Sequence, residues 1–299
     1  MSKTTSVSRP YPWYYQPLEW LLLGLARLPL SVLYVLGRVV YWLLAYVVRY
    51  RQRVVLQNLS NSFPEKSAAE IARLARQFYW HFAQVMMETI KLATMSAPAL
   101  KERVIFRNPE VLERHFAAGR TVLGLSSHAG NWEWVLTSGA AWLSAHADGV
   151  YKPLSNPFFE HLLYQLRTRT GAGLIPMRDT LRDMLQRKGE VRVVSMLSDQ
   201  AAGPEDRPFW TTFMHQEAGF YTSTERLASR FHCPVVYVSI RRLRRGYYEI
   251  ILTELYDGDS PLEPNSFPIT AAFVQQLERD IQLYPADYLW THRRWKHKR

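Results

Sequence analysis

The chain opens on a nearly unbroken apolar stretch and then settles into short apolar runs alternating with amphipathic segments. Residues 18–48 read LEWLLLGLARLPLSVLYVLGRVVYWLLAYVV. Between Leu28 and Val48 the one charge is Arg38, and at about 1.5 Å per helical residue this stretch reaches about 30 Å, one hydrocarbon core. Neither a short basic leader nor a small-residue cleavage site of the signal-peptide kind accompanies it. Pro29 is placed to divide it into two shorter helices. Arg27, Arg38 and Arg49 recur every eleven residues, which in a continuous helix would put all three on one face. The pattern predicts a membrane-anchoring segment. It either spans, with the arginine stripe turned toward protein, or lies in the interface with its apolar side down. Burial as a core helix is the alternative. Arg49, Arg51 and Arg53 follow the segment, against Lys3 and Arg9 before it, so the positive-inside rule puts residues 50–299 on the cytoplasmic face.

Beyond residue 50 the periodicity is first helical. Ser67 is a candidate N-cap, with Glu70 three positions on to complete a capping box, and His81 in the aromatic helix that follows reads as a structural histidine. After Lys101 strands and helices alternate. Strands are expected at 121–127, 149–154, 173–177 and 191–200, and at PVVYVSIRR. Helices are expected at 131–147, at 156–171, around RDTLRDMLQRKG and at TSTERLASRFH. RGYYEIILTEL (245–255) is expected to add an antiparallel edge strand, and 269–285 a last helix. This predicts an α/β fold with a mixed, largely parallel sheet flanked by helices, behind the N-terminal membrane-anchoring helix. The simplest division is an anchor over 1–50 and one catalytic-sized domain over 51–299.

Composition narrows the function classes. The 299 residues are 47% hydrophobic, with 10 Trp, 17 Tyr and 13 Phe, enough aromatic surface for a core, a membrane interface or an acyl-chain site. A formal net charge of +11 asks for an acidic partner. Nucleic acid would explain the charge but not residues 18–48. The single cysteine, Cys233, excludes an internal disulfide, argues against a cysteine-rich zinc site, and reads as inert core within an apolar strand.

The chemistry concentrates in SSHAGNWEW, residues 126–134, directly after the apolar run TVLGL. In one continuous helix His128 and Glu133 would diverge by about 140°. No second histidine follows on the same turn to make a metal pair. If His128 ends a strand and Gly130 reverses the chain, with Asn131 as helix N-cap, Glu133 falls in the first helical turn and its carboxylate can fold back toward the imidazole. A carboxylate behind a histidine fixes its tautomer and stabilises the imidazolium, giving a general base at the carboxyl end of a strand. A structural hydrogen bond is the alternative reading. A third reading makes Ser126 or Ser127 a nucleophile, but the chain has no G-x-S-x-G elbow there.

SSHAGNWEWVL resembles the active-site block of the lipid A biosynthesis (lauroyl/myristoyl) acyltransferase family, a branch of the glycerolipid acyltransferases, in which a His is followed after four residues by Asp or Glu. Further blocks come in the family's order. RQRVVLQNLSNSFPEKSAAEI resembles its NL…FP segment, and YKPLSNPFFEHLLYQLRTRTGAGLIP its K-PL-N and R-x-R-x-G block. VVSMLSDQ, ERLASRFHCPVVYVSIRR and YLWTHRRWK resemble its later blocks. The resemblance implies transfer of a fatty acyl group from a thioester, with acyl carrier protein as donor, to a hydroxyl of a phosphorylated glycolipid at the bacterial inner membrane, without a cofactor or metal. It makes His128 and Glu133 the catalytic pair. It places Asn131, Lys152, Asn156, Arg167, Arg169, Asp199, Gln200 and Arg241 on the substrate side, Arg167 and Arg169 suiting bidentate phosphate recognition. Arg241, Arg242, Arg244 and Arg245 could meet phosphates or an acidic carrier. His292 and RRWKHKR are expected to form a basic tail facing membrane or carrier. The chain departs from the family in having FMH for FFG at 213–215 and no Gly near TSTE at 222–225. These departures bear on chain and acceptor preference. Another bacterial lipid as acceptor, or non-catalytic binding of anionic lipid, are the alternatives.

Overall fold

The computed structural model describes residues 11–263 and 265–299; Lys3 and Arg9, used in the charge comparison, lie outside the described residues. Pro29 divides the apolar stretch as expected, into α1 (Gln16–Arg27) and α2 (Leu30–Trp42). The helix then widens, with Val48 N–H bonding the Leu43 carbonyl at 2.8 Å, and stops at Arg49 and Arg51, both with positive φ. The arginine stripe is therefore broken twice. After it come α3 (Gln52–Ser62), α4 (Ala68–Lys91) and α5 (Ala97–Arg103). The Ser67–Glu70 capping box opens α4.

The alternating region then runs β1 (Val104–Phe106), α6 (Glu110–Ala117), β2 (Val122–Ser126), α7 (Trp132–Trp142), β3 (His146–Tyr151), α8 (Pro157–Thr168), β4 (Gly173–Pro176), α9 (Thr180–Gln186) and β5 (Arg192–Leu197). It finishes with β6 (Phe209–Phe213), β7 (Gln216–Phe220), α10 (Ser223–Phe231), β8 (Val235–Arg244), β9 (Tyr247–Tyr256) and α11 (Pro268–Leu283). The sheet order is β1-β9-β8-β2-β5-β3-β4, parallel throughout except between β8 and β9; β6 and β7 form a separate hairpin. The strand expected at the edge, β9, is antiparallel to β8, but β1 covers its outer side. The hairpin turn lies at one departure from the family pattern: Met214 and His215 take φ of 49° and 62°, a conformation that favours glycine, with no glycine at either position.

The sheet is apolar on both faces, as its strands' continuous runs require. Along β2, Leu123 and Leu125 join the core under α4, α10 and α11, while Val122 joins Trp134 of α7 and Leu166 of α8 on the other face. Helices α7 and α10 thus lie on opposite faces. The chain leaves β2 toward β3 on one side and leaves β5 toward β8 on the other, which makes the β2–β5 carboxyl ends the switch point where α/β sheets bind ligands. Leu30, Leu33 and Tyr34 of α2 share a core with Met87, Val104 and Trp134. Cys233 is buried in the core on the opposite face, with Leu227 and Phe273, burial pushing its thiol up to about 11.

Candidate active site

The β2–β5 register already dictates the central contact. Ser126 pairs with Leu197 in parallel strands, so residues two positions beyond each, His128 and Asp199, leave the sheet side by side. Their side chains meet: His128 Nδ1 lies 2.8 Å from Asp199 Oδ1. Asp199 is 2% exposed. A buried carboxylate accepting from Nδ1–H fixes the tautomer and leaves Nε2 with its lone pair free. Burial opposes the imidazolium, but the charge and hydrogen bond of Asp199, with Glu133 further off, outweigh it and raise the His128 pKa. Burial likewise opposes ionisation of Asp199, yet His128 and nearby backbone donors hold its carboxyl below the usual range.

Glu133 stands elsewhere than the local spacing suggested. Asn131 caps α7, its Oδ1 accepting from Trp134 N–H at 3.2 Å, and Glu133 does fall in the first turn. Its carboxylate, however, takes a bidentate pair from Arg167 of α8, with Nε to Oε2 at 2.9 Å and Nη2 to Oε1 at 2.7 Å. The carboxylate on the imidazole is Asp199, which a reading confined to one loop could not place. Glu133 acts on His128 through its charge alone.

The His128 loop is held from two directions. Gly130 takes φ +54, and a Cβ there would sit 3.2 Å from the Ile240 carbonyl. The segment 287–289 runs along the loop, with Gly130 N–H donating to the Asp287 carbonyl at 2.9 Å and Leu289 N–H to the His128 carbonyl at 3.0 Å. His81 Nδ1 lies 2.6 Å from Asp287 Oδ1, so the structural histidine expected on α4 props this segment. Below the loop, Asn131 Nδ2 donates to buried Glu88 at 2.8 Å, and Glu88 also accepts from the Tyr34 and Tyr248 hydroxyls. Burial raises the Glu88 carboxyl pKa despite these donors. Sequence reasoning missed Glu88. Its signal was available: the apolar stripe Ile71, Leu74, Phe78, Val85 continues at helical spacing onto an acid.

The other anticipated residues divide. Arg167, Asp199 and Glu133 converge on His128. Asn131 and Asn156 are helix caps, Asn156 Oδ1 accepting from the Phe158 and Phe159 amides. Arg169 lies at the end of α8, its Nε 3.4 Å from the Met95 carbonyl. Lys152 and Gln200 are exposed at the carboxyl ends of β3 and β5. Arg241 pairs with Asp280 at 3.2 Å over the Tyr284 ring, and Arg242 bonds Gln84.

The C-terminus corrects the expectation of a basic tail. Trp290 and Arg294 are buried, and the Arg294 guanidinium stacks 4.0 Å from the Phe220 ring. Burial lowers the His292 pKa to about 4. Aromatics alternating with the bases fold the segment inward, leaving Arg293, Lys296, Lys298 and Arg299 outside. Asn58 Nδ2 donates to the Trp290 and His292 carbonyls at 2.9 Å each, and Phe63 packs edge-on to Trp290. The NL…FP block and the C-terminal block therefore form one brace behind the His128 loop.

The sequence matches the family model described as bacterial lipid A biosynthesis acyltransferase over residues 2–297. It is similar to the lipid A biosynthesis lauroyltransferase of Escherichia coli (strain K12), 27% identical over 98% of this chain and 94% of the relative. The palmitoleoyltransferase of the same organism is 23% identical over 96% of this chain and 92% of its own length. The myristoyltransferase is 25% identical over 80% and 73%. Matched over nearly its whole length, the chain belongs to the bacterial lipid A biosynthesis acyltransferase family and is an acyltransferase.

Proposed function

We propose that this enzyme transfers a fatty acyl group from acyl carrier protein to a hydroxyl of a phosphorylated glycolipid, a late acylation in lipid A assembly, and that His128 is its general base. The observation that carries this reading is the 2.8 Å contact of His128 Nδ1 with buried Asp199 at the sheet's switch point. Nε2 accepts the proton of the acceptor hydroxyl as its oxygen attacks the thioester carbonyl carbon. The C–S bond then breaks, and the departing sulfur takes the proton from the imidazolium. Asp199 orients the ring and balances its charge. Glu133 fixes Arg167 by two hydrogen bonds, leaving Nη1 for an anionic group of the acceptor.

Residues 1–50 act in this reading as the membrane anchor and 51–299 as the acyltransferase domain on the cytoplasmic face. The packing of α2 favours the interfacial arrangement over a free span. Tyr34 bonds Glu88, Gly37 faces Met87 and Tyr41 meets Trp80, so α2 runs antiparallel along α4 rather than away from the domain. Its outer side, including Val35, Val39 and Trp42, is exposed for lipid. The test is purified protein with a lipid A precursor in detergent micelles and either acyl carrier protein or coenzyme A thioesters. Acylated product from the carrier-protein donor supports the reading; product with coenzyme A alone removes the carrier protein, and no product with either removes the reaction.

A further inference from the structure

We propose that the carboxyl edge of the sheet is itself a docking face for an anionic lipid leaflet, so that the enzyme sits on the bilayer with the His128 site facing the lipid. The inference deepens the proposed function and rests on its reading of the acceptor as a membrane lipid.

Strand order carries the argument. Strands β8, β2, β5, β3 and β4 are parallel neighbours, so their carboxyl ends emerge along one edge. The end of β2 leads to His128. Each of the other four brings a large apolar side chain out to solvent: Leu243 at β8, 47% exposed; Leu197 at β5; Leu154 after β3; and Met177 after β4, 54% exposed. Phe159, in the first turn of α8 at the same edge, is exposed as well. Apolar groups thus flank the catalytic histidine on both sides. At the opposite edge the segments entering the same strands hold one such residue among those described, Leu185 in the last turn of α9, 47% exposed. A single exposed apolar residue, as at Leu185, needs no explanation, but a row of five along the edge that bears the site does.

Two further observations identify the occupant. The first is charge: Arg178 follows Met177, and Arg244 and Arg245 follow Leu243, all exposed. Bases beside apolar side chains suit an anionic leaflet, where the base meets headgroups and the apolar group enters the acyl boundary. The second is continuity with the apolar N-terminal segment, which touches both ends of this edge. Tyr15 stacks on Phe158 at 5.1 Å and its hydroxyl accepts from Asn156. At the other end, Arg245 lies 4.5 Å over the Tyr34 ring, where the β8–β9 turn at Gly246 closes on Tyr34. The segment's exposed Trp20, Leu21, Val35 and Val39 and the strand-end residues therefore belong to one side of the molecule. An acidic carrier protein would answer the bases but leave five apolar groups without a partner.

The test uses the full chain carrying an environment-sensitive fluorophore on Met177→Cys, Leu243→Cys or, at the opposite edge, Glu190→Cys; Cys233 is buried. Each is mixed with vesicles of phosphatidylethanolamine and phosphatidylglycerol, and separately with acyl carrier protein. Blue-shifted emission from 177 and 243 on vesicles, without a shift from 190, is expected. Equal response at all three positions, or a response at 177 and 243 to carrier protein but not to vesicles, overturns the proposal. A triple variant, Leu154→Asp, Met177→Asp and Leu243→Asp, should keep micelle activity within about twofold and lose about tenfold or more when the acceptor is in vesicles. Equal losses in both assays contradict a docking role. Wild-type activity in micelles with silent probes defeats the docking face alone, whereas no micelle activity defeats the proposed function.

Discussion

The two edges of one sheet each hold a histidine beside an aspartate, and they are built for different ends. At the carboxyl edge His128 meets Asp199 at 2.8 Å. At the amino edge His146 lies 3.2 Å from Asp148. Asp148, however, is also held by Arg192 at 2.7 Å and Arg187 at 2.9 Å, so its charge is already answered by two guanidinium groups. Arg120 closes the same edge by bonding Asp259 and the His232 carbonyl. Asp199 has no such cation in hydrogen-bond contact among the described residues, and its partner imidazole keeps a free nitrogen. The same residue pair is a strap where arginines share the carboxylate; where they do not, it has the arrangement that the proposed general base requires.

Substitutions can break this contrast. The largest effect should come from His128→Ala, which removes the base and lowers kcat by about 10²–10⁴-fold in the micelle assay; membrane association should persist, since the N-terminal segment is untouched. Asp199→Asn should cost about 10²-fold or more, because the ring loses its tautomer control. Its pH profile is more telling. The raised His128 pKa means the neutral, proton-accepting form gains as pH rises, with an acid limb above the ordinary histidine value. In Asp199→Asn the carboxylate is gone and burial remains, so the limb should move to lower pH. Asp148→Asn at the other edge should leave that limb in place and instead destabilise the fold by about 1–3 kcal/mol, measured by denaturant titration, since buried Arg192 loses one of its two carboxylates and keeps Asp183 at 2.7 Å. An acid limb that moves equally in both variants would erase the distinction.

Glu133 and Arg167 sharpen it further. Glu133→Ala should reduce kcat/KM by about 10²-fold by releasing the Arg167 guanidinium, and Arg167→Ala should mainly raise the KM for the phosphorylated acceptor, by about tenfold. A double variant no worse than Glu133→Ala alone would mark them as one unit; additive losses would separate them. The smallest effect belongs to Asn156→Ala, which loses a helix cap worth about 1 kcal/mol of stability and little activity at saturating acceptor. A large rise in acceptor KM there would restore Asn156 as a binding group.

What the sequence disclosed follows the range of the forces involved. Strand–helix alternation, the Pro29 break, the capping box at Ser67 and the cap at Asn131 depend on neighbours within a few positions, and these elements were legible. Of the residues that the family's ordered blocks pointed to, Glu133, Arg167 and Asp199 gather around His128. Its wiring was not: Asp199 reaches His128 through a strand pairing 71 residues apart, and Arg167 reaches Glu133 across 34. The short strand β1 and the β6–β7 hairpin carry too little pattern to announce themselves. The inward fold of the C-terminus was hidden because Arg294 reads as a surface charge until Phe213 and Phe220 are placed beside it.

The central claim, that His128 backed by Asp199 acylates a lipid A acceptor, is tested most directly by mass spectrometry of lipid A from a bacterial strain lacking its late acyltransferases. The wild-type chain should yield a species heavier by one acyl group. His128→Ala and Asp199→Asn, present in the membrane at equal amounts, should not. The same increment with His128→Ala would contradict the general-base assignment, and no increment with the wild-type chain would contradict the acceptor.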